Sequence, residues 1–333
     1  MERRTNMRQF TKYLAIFLFS SSVSVGYAGP WFTGPLLAPA GHTVPKGHTN
    51  LEVYGIDVFT DGQYNASGQR ISTPKFKTFA ANPILTHGFT DWLDVQLTVP
   101  YLFNSTRGIH ENHLADVATA LGIQILEQKG SPKGIDFRVL LQETIPTGRY
   151  DQLNPALLGT DATGLGSYQT LVGLDFQYLL QVFKTHYLRT RFIASRLFSS
   201  NVHVDGLSSY GGSINTHGTV KPGIENNLDL AFEFTLTQHW VAVMEGYIAT
   251  GKATRFNGIL NFTSIGSPPV NVSDLDAAPV VIGNGSFREE ALAPAIEYNF
   301  NENIGVIGGV WFPVSGINTS HYMTYVLAIN AFW

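Results

Sequence analysis

The sequence predicts an all-β protein, a closed antiparallel transmembrane β-barrel of about twelve strands. Three observations support this fold class. Segments of about ten residues alternate apolar and polar side chains, short and long connections follow one another in turn, and an apolar strand reaches the final residue, Trp333. Alternation with a period of two residues is typical of β-strands. A barrel protects an apolar terminal strand from aggregation because it pairs that strand with the first one.

The last predicted strand, residues 322–333, has Tyr325, Leu327 and Ile329 on its more apolar face. It resembles the C-terminal signal by which bacterial outer-membrane barrels are recognised for assembly. This resemblance implies the barrel-assembly machinery as a partner. The alternative interpretation is an edge strand of a soluble β-domain.

The composition favours a membrane protein built from strands. Only 14% of the 333 residues are charged, the mean hydropathy is +0.03, and the formal net charge is -4. Soluble proteins usually carry about 25% charged residues. Cysteine is absent, which excludes disulfides and thiolate metal sites. No basic excess indicates nucleic acid, and no motif indicates a cofactor.

The N-terminus reads as a secretory signal peptide, residues 1–28. Arg3, Arg4 and Arg8 precede a short apolar run, and small residues end at Ala28, where we expect cleavage. A membrane-anchor helix is the alternative. Because no apolar run of 18 residues follows, the remaining chain can cross a membrane only as a closed barrel.

Residues 29–48 form a segment rich in Gly and Pro that cannot be a regular strand or helix. We expect a tail on the periplasmic side, and the alternative is a segment that folds into the barrel mouth as a plug. The barrel is expected over residues 49–333. Its predicted strands are 50–59, 75–85, 92–103, 113–126, 135–145, 168–180, 187–199, 225–237, 240–250, 289–300, 304–313 and 322–333.

The connections between these strands alternate in length. Residues 86–91, 238–239 and 301–303 are short turns, whereas residues 146–167, 200–224 and 251–288 are long loops. Turns facing the periplasm and loops facing outward are the layout of an outer-membrane barrel, with both termini on the periplasmic side.

The polar faces of the strands carry charges. A lipid-facing Arg at mid-membrane costs about 2–4 kcal/mol, so these side chains are expected to line the lumen. They form either a ladder of ion pairs that braces the barrel or a charged constriction that selects solute. The excess of acidic groups predicts a weak preference for cations, and Arg196 is expected at a bulge or at the outer rim. The lumen-lining candidates are Asp136, Arg138, Asp175, Arg189, Arg191, Asp229, Glu233, Glu245 and Glu297.

Short motifs resemble a known family. Ile145-Pro146-Thr147-Gly148 ends a strand before a long loop, Gly164-Leu165-Gly166-Ser167 opens the next strand, and Asp116-Val117 opens an earlier one. These motifs resemble the outer-membrane proteins named for the meta-pathway of phenol degradation, across roughly residues 49–333. Ala115 stands where that family commonly has Gly. The resemblance implies a channel for small solutes, often aromatic or apolar, without assigning contact residues.

We therefore expect a porin-like channel in the bacterial outer membrane, with lipid, lipopolysaccharide and a small solute as partners. Pro83, Pro100 and Pro294 are candidates for a lateral opening. Residues 146–167 are expected to form a solvated surface loop, and the alternative is a loop folded over the entrance. A structural or adhesive surface barrel is the alternative. A lipid-modifying enzyme is the weaker alternative, since Ser320 and His321 lack a third partner in the sequence. No catalytic, cofactor or metal site is expected.

Overall fold

The structure is a computed structural model that describes residues 30–129, 133–260 and 282–333. Alternating apolar and polar positions form long antiparallel strands in one sheet and short strands in a second sheet. The strands are β1 Thr49–Tyr64, β2 Arg70–Thr90, β3 Leu93–Thr98, β4 Tyr101–Thr106, β5 Ile109–Leu114, β6 Val117–Leu126, β7 Asp136–Ile145, β8 Gln169–Gln181, β9 Tyr187–Ser199, β10 Val202–Asp205, β11 Thr216–Lys221, β12 Glu225–Thr235, β13 Trp240–Gly251, β14 Arg255–Leu260, β15 Phe287–Asn299, β16 Ile304–Ile317 and β17 Thr319–Phe332.

The large sheet closes into a barrel because β1 pairs with both β2 and β17. Asn50 lies opposite Phe332 and Tyr64 opposite Thr319, so the first and last strands pair along their whole length. The barrel has twelve antiparallel strands, which confirms the predicted fold class. Each predicted strand overlaps one of them. We call the end of the barrel at Thr49 and Trp333 the turn end, and the opposite end the loop end.

The side chains alternate as the sequence predicts. On β12, Leu228, Leu230 and Phe232 are 40–46% exposed on the outer face, whereas Asp229 and Glu233 are buried on the inner face. A soluble barrel would bury its apolar side chains instead. This reversed arrangement, apolar outside and polar inside, is typical of a barrel surrounded by lipid.

One wall of the barrel is interrupted. β3 ends at Thr98 and β4 begins after Pro100, and the neighbouring β5 and β6 are separated by Ala115 and Asp116. The β4–β5 hairpin therefore continues β3 and β6 towards the loop end, but β5 pairs with β4 and with no other described strand. The edge of β5 that does not pair with β4 faces the loop of residues 146–167.

A small sheet covers part of the loop end. It has the order β10, β11, β14 and lies within residues that the sequence pattern assigns to two long loops. The sequence pattern predicted no strands in these loops, because the three strands are only four to six residues long. Such short strands do not show a clear alternation in sequence.

No helix in the residues that the structure describes is long and apolar enough to cross a membrane.

Candidate functional site

The nine predicted charged residues all lie on buried positions of the inner barrel face. Their side chains come from six strands, β7, β8, β9, β12, β13 and β15, and concentrate in the half of the barrel near the turn end. None of the nine residues exceeds 7% exposure. Three guanidinium groups therefore face six carboxyl groups inside the barrel. The buried charges require partners, because an isolated charge away from water is strongly unfavourable.

Ion pairs satisfy part of this need. The Arg138 guanidinium donates to Asp94 at 2.7 Å and lies 3.8 Å from the Asp175 carboxylate. Arg189 donates to both oxygens of Glu233, and the Arg191 Nε atom is 3.2 Å from the same carboxylate. Asp94 of β3 was not among the candidates, whereas Asp136 accepts hydrogen bonds from the Gln128 N–H at 2.8 Å and from Gln177 at 3.1 Å instead of pairing with an arginine. Arg138 of β7 contacts carboxylates on β3 and β8, and Glu233 of β12 contacts two residues of β9, so these pairs link strands of the barrel wall.

The N-terminal segment supplies the remaining partners. The preferred expectation of a periplasmic tail was wrong, because residues 31–44 run inside the barrel. The Glu297 carboxylate accepts hydrogen bonds from the backbone N–H groups of Thr33 at 2.7 Å and Gly34 at 3.2 Å. Glu245 accepts from Leu36 at 2.7 Å, from Ala38 at 2.8 Å and from Leu37. Acceptors on the wall therefore hold the backbone of the segment.

The same segment reaches the opposite wall. Arg191 donates to the Ala38 carbonyl at 3.1 Å, and Arg138 donates to the Ala40 carbonyl at 3.2 Å. Further along, the Val44 N–H donates to Asp94 at 2.9 Å. The contacts fall in turn on β15, β13, β9, β7 and β3, so the segment runs round the inner wall before it enters β1. Its backbone binds both the acidic and the basic residues of the candidate site.

Apolar and aromatic contacts fix the start of the segment. Phe32 and Leu36 are buried among Ile307, Trp311 and other side chains of the barrel interior. The Arg189 guanidinium lies 4.2 Å from the centre of the Phe32 ring, a cation–π contact. Gly305 is opposite Thr33, where a Cβ atom would come within 2.0 Å of the Thr33 hydroxyl. This wall position requires glycine for the segment to fit.

A second segment covers the interior from the loop end. Asp116 accepts hydrogen bonds from the Gly148 N–H at 2.9 Å and the Leu165 N–H at 2.8 Å. These contacts fix both ends of the loop of residues 146–167, and the Asn104 amide donates to the carbonyl groups of Thr160 and Ala162. The loop thus folds inward, as one of the two sequence interpretations has it. The motifs at Asp116, Gly148 and Leu165 therefore meet in space.

Asp116 lies between β5 and β6 at the loop end, outside the strands. Burial raises the pKa of its carboxyl group to about 6, although the N–H groups of Leu165, Gly148 and Thr147 act in the opposite direction. Burial also raises the pKa of the Tyr150 hydroxyl in the same loop, and the Asp151 charge adds to the shift. The loop is therefore attached through a carboxyl group whose pKa is raised to about 6.

Other sequence candidates lie elsewhere. Arg196 is on the outer face of β9 near the loop end and donates to Asn226 at 2.7 Å, so the outer-rim alternative is confirmed. His321 contacts Asp61 at 2.7 Å, whereas Ser320 is buried on the other face of β17. Across residues 30–129, 133–260 and 282–333, no three His, Asp or Glu side chains are grouped so that they could hold a metal ion.

The N-terminal segment is the part of the site that sequence reasoning placed wrongly. Its contacts join residues more than 200 positions apart, for example Thr33 and Glu297, so no local pattern shows them. One signal was present. The six predicted lumen carboxyl groups outnumber the three predicted guanidinium groups, and the surplus acceptors needed donors from another part of the chain.

Comparison with known proteins supports the fold. An outer-membrane channel from Pseudomonas putida F1 has a TM-score of 0.64 at 11% identity, covering 88% of this chain and 97% of that chain. The transport unit of the autotransporter AIDA-I from Escherichia coli has a TM-score of 0.45 at 10% identity, covering 98% of this chain and 99% of that chain. The NanC porin has a TM-score of 0.42 at 8% identity, covering 84% of this chain and 98% of that chain. The last two scores are too low to support an argument.

No family model matches the sequence. No curated protein matches it either.

Proposed function

We propose that the protein is a passive channel for small solutes in the bacterial outer membrane, and that its N-terminal segment narrows the interior. The observation that supports this function most is the binding of the segment by Glu245 and Glu297. A barrel that served only as a surface scaffold would not need a separate segment held by buried carboxylates. Movement of this segment would widen the passage without disturbing the strand pairing.

The charge of the interior sets the expected selectivity. With the segment in place, Glu245 and Glu297 are occupied by backbone N–H groups, so the predicted cation preference is weak or absent. When the segment leaves, the interior carboxyl groups, which outnumber the guanidinium groups of Arg138, Arg189 and Arg191, would line the passage. We therefore expect cation preference only in the widened state, because like charges are excluded from a narrow charged passage.

The solute class follows from the resemblance to the phenol meta-pathway proteins and stays a proposal. Small aromatic or apolar compounds would need no charged constriction, and a lateral route through the wall would suit them. Pro100 lies at the interruption between β3 and β4, and Pro294 lies where β15 and β16 lose two residue pairs. Pro83, by contrast, lies within the continuous pairing of β1 with β2.

Solute flux into proteoliposomes tests the proposal. Vesicles containing the folded protein are expected to take up a small aromatic compound such as phenol faster than protein-free vesicles at early times, and to exclude a trisaccharide. The control replaces the protein with a small outer-membrane barrel that has no passage. Equal uptake of phenol by vesicles with this protein and by vesicles with the control barrel would contradict the proposed channel function and favour the adhesive or enzymatic alternatives.

The cellular context is part of the same proposal. Residues 1–28 would be removed as a signal peptide after Ala28, and the strand ending at Trp333 would be recognised by the barrel-assembly machinery. The turn end would then face the periplasm and the loop end the outside. N-terminal sequencing of protein from outer-membrane fractions tests cleavage and location together.

A further inference from the structure

A pocket of about 380 Å³ lies in the outer wall near the loop end, and we call it the rim pocket. It forms where β2 departs from β1. Thr60 pairs with Phe76, but Gly62 pairs with Ser72, so β2 contains extra residues that bulge out of the sheet. The residues that line the rim pocket are Phe59, Thr60, Asp61, Lys75, Phe76, Lys77, Ser105, Thr106, Arg107, Gly108 and His110.

The rim pocket is rich in cations. Lys75 and Arg107 are exposed, and neither forms an ion pair with any other residue that the structure describes. Lys77 pairs with Asp57 at 3.0 Å, and Asp61 is shared by Arg70 and His321. The local charge is therefore positive although the whole chain carries -4. The two unpaired cations are available for an anion.

An aromatic surface adjoins the pocket on the turn-end side. Phe59, Phe79, Phe103 and Tyr325 are 39–53% exposed on the outer face of the barrel. The Lys77 amine lies 4.8 Å from the centre of the Phe59 ring, so the basic and aromatic surfaces are continuous. A ligand with a phosphate group and attached acyl chains matches both surfaces, since Lys and Arg bind phosphate and aromatic rings cover hydrocarbon.

We propose that the rim pocket binds the phosphate group of a lipid in the outer leaflet, with lipopolysaccharide as the occupant. Lys75 and Arg107 would contact the phosphate, and the aromatic surface would contact the acyl chains. The inference rests on the proposed outer-membrane location but not on the channel, so the flux experiment and the lipid experiment fail independently.

Native mass spectrometry of the detergent-solubilised full chain with purified lipopolysaccharide tests this site. Replacing both cations, K75Q with R107Q, is expected to weaken binding about thirtyfold, because each cation near a charged membrane surface contributes to anionic-lipid binding. The matched control is K46Q with K184Q, which removes the same charge at the turn end and is expected to bind as the wild type does. Lys75 and Arg107 are both exposed, so their replacement is not expected to disturb folding. The charge-conserving variant, K75R with R107K, is expected to bind as the wild type does.

Two further ligands separate the lipid from other anions. Dephosphorylated lipopolysaccharide is expected to bind the wild type no better than intact lipid binds the K75Q/R107Q variant. Inorganic phosphate at millimolar concentration is expected not to displace the intact lipid. Displacement by inorganic phosphate, or equal loss of binding in the K46Q/K184Q control, would overturn the proposal.

Discussion

Glu245 is the side chain on which the position of the N-terminal segment depends most. Its carboxylate accepts hydrogen bonds from three consecutive backbone N–H groups, those of Leu36, Leu37 and Ala38. Hydrogen bonds to a charged acceptor are stronger than those between neutral groups. A side chain with only one acceptor oxygen cannot satisfy the same donors.

We predict that Glu245→Gln loosens the segment without opening the barrel. One amide oxygen replaces two carboxylate oxygens and an NH₂ group meets the backbone donors, so segment binding weakens by about 2 kcal/mol. Hydrogen exchange of a peptide covering residues 36–38 is the measurement, and exchange is expected to accelerate about thirtyfold. Glu290→Gln is the control, because this half-buried carboxylate of β15 contacts Arg288 and Ser315 and no residue of the segment. Unchanged protection in Glu245→Gln would contradict the assigned contacts.

Asp116 gives a prediction for pH. The raised pKa means that the folded state favours the protonated carboxyl group. This stabilising contribution is complete below the unfolded pKa of 3.8 and is lost as the pH rises through about 6. Between pH 5 and pH 8 the free energy of unfolding of the wild type is expected to fall by about 1.4 kcal/mol relative to that of Asp116→Asn.

Unfolding of both proteins at each pH is the measurement. The difference between the wild type and Asp116→Asn is the quantity to compare, because it cancels the titration of other groups. A difference that stays constant, or that grows in favour of the wild type with rising pH, would show that Asp116 is not buried as described.

Alternation of side chains predicts which residues face inward, and the structure buries Arg138 and Glu233 on the inner face. It does not predict most of their partners, such as Asp94, which lies on a strand that is not adjacent to that of Arg138. Alternation holds no information about backbone donors from another segment. The partners of Glu245 and Glu297 therefore appeared only in the structure.

Strands are the elements for which the sequence was most informative. Each predicted strand is present, because a lipid-exposed face and a polar interior impose a period of two residues on every crossing. The β4–β5 hairpin, the small sheet and residues 31–44 lack such a constraint. Their positions depend on contacts such as those of Asp116 with Gly148, which join distant parts of the chain.

Strand β12 provides a direct check of membrane placement. Leu230 lies at the middle of the strand on the outer face, and Leu236 lies just beyond its turn end. Leu230→Arg is expected to reduce the free energy of unfolding in phospholipid bilayers by about 2–4 kcal/mol, and Leu236→Arg by about 0–1 kcal/mol. Denaturant titration of both variants measures these values. Equal costs would indicate that this face does not contact lipid.

At the scale of the whole molecule, the barrel combines a rigid wall with two inserted segments. The wall is closed by pairing of β1 with β17, whereas residues 31–44 and 146–167 occupy the interior from opposite ends. The segment at the turn end is held by side-chain contacts to its backbone, not by strand pairing. Its displacement would therefore leave the pairing of the barrel strands unchanged.

Single-channel conductance in planar bilayers tests whether residues 31–44 narrow the interior. The wild type is compared with a variant that lacks residues 30–44, after both are shown to be folded by heat-dependent gel mobility. Few or no conductance steps are expected for the wild type. Discrete, larger steps with cation preference are expected for the variant, because the interior carboxylates lose their backbone partners. Equal conductance of the two folded proteins, or anion preference in the variant, would show that the segment does not narrow an acidic passage.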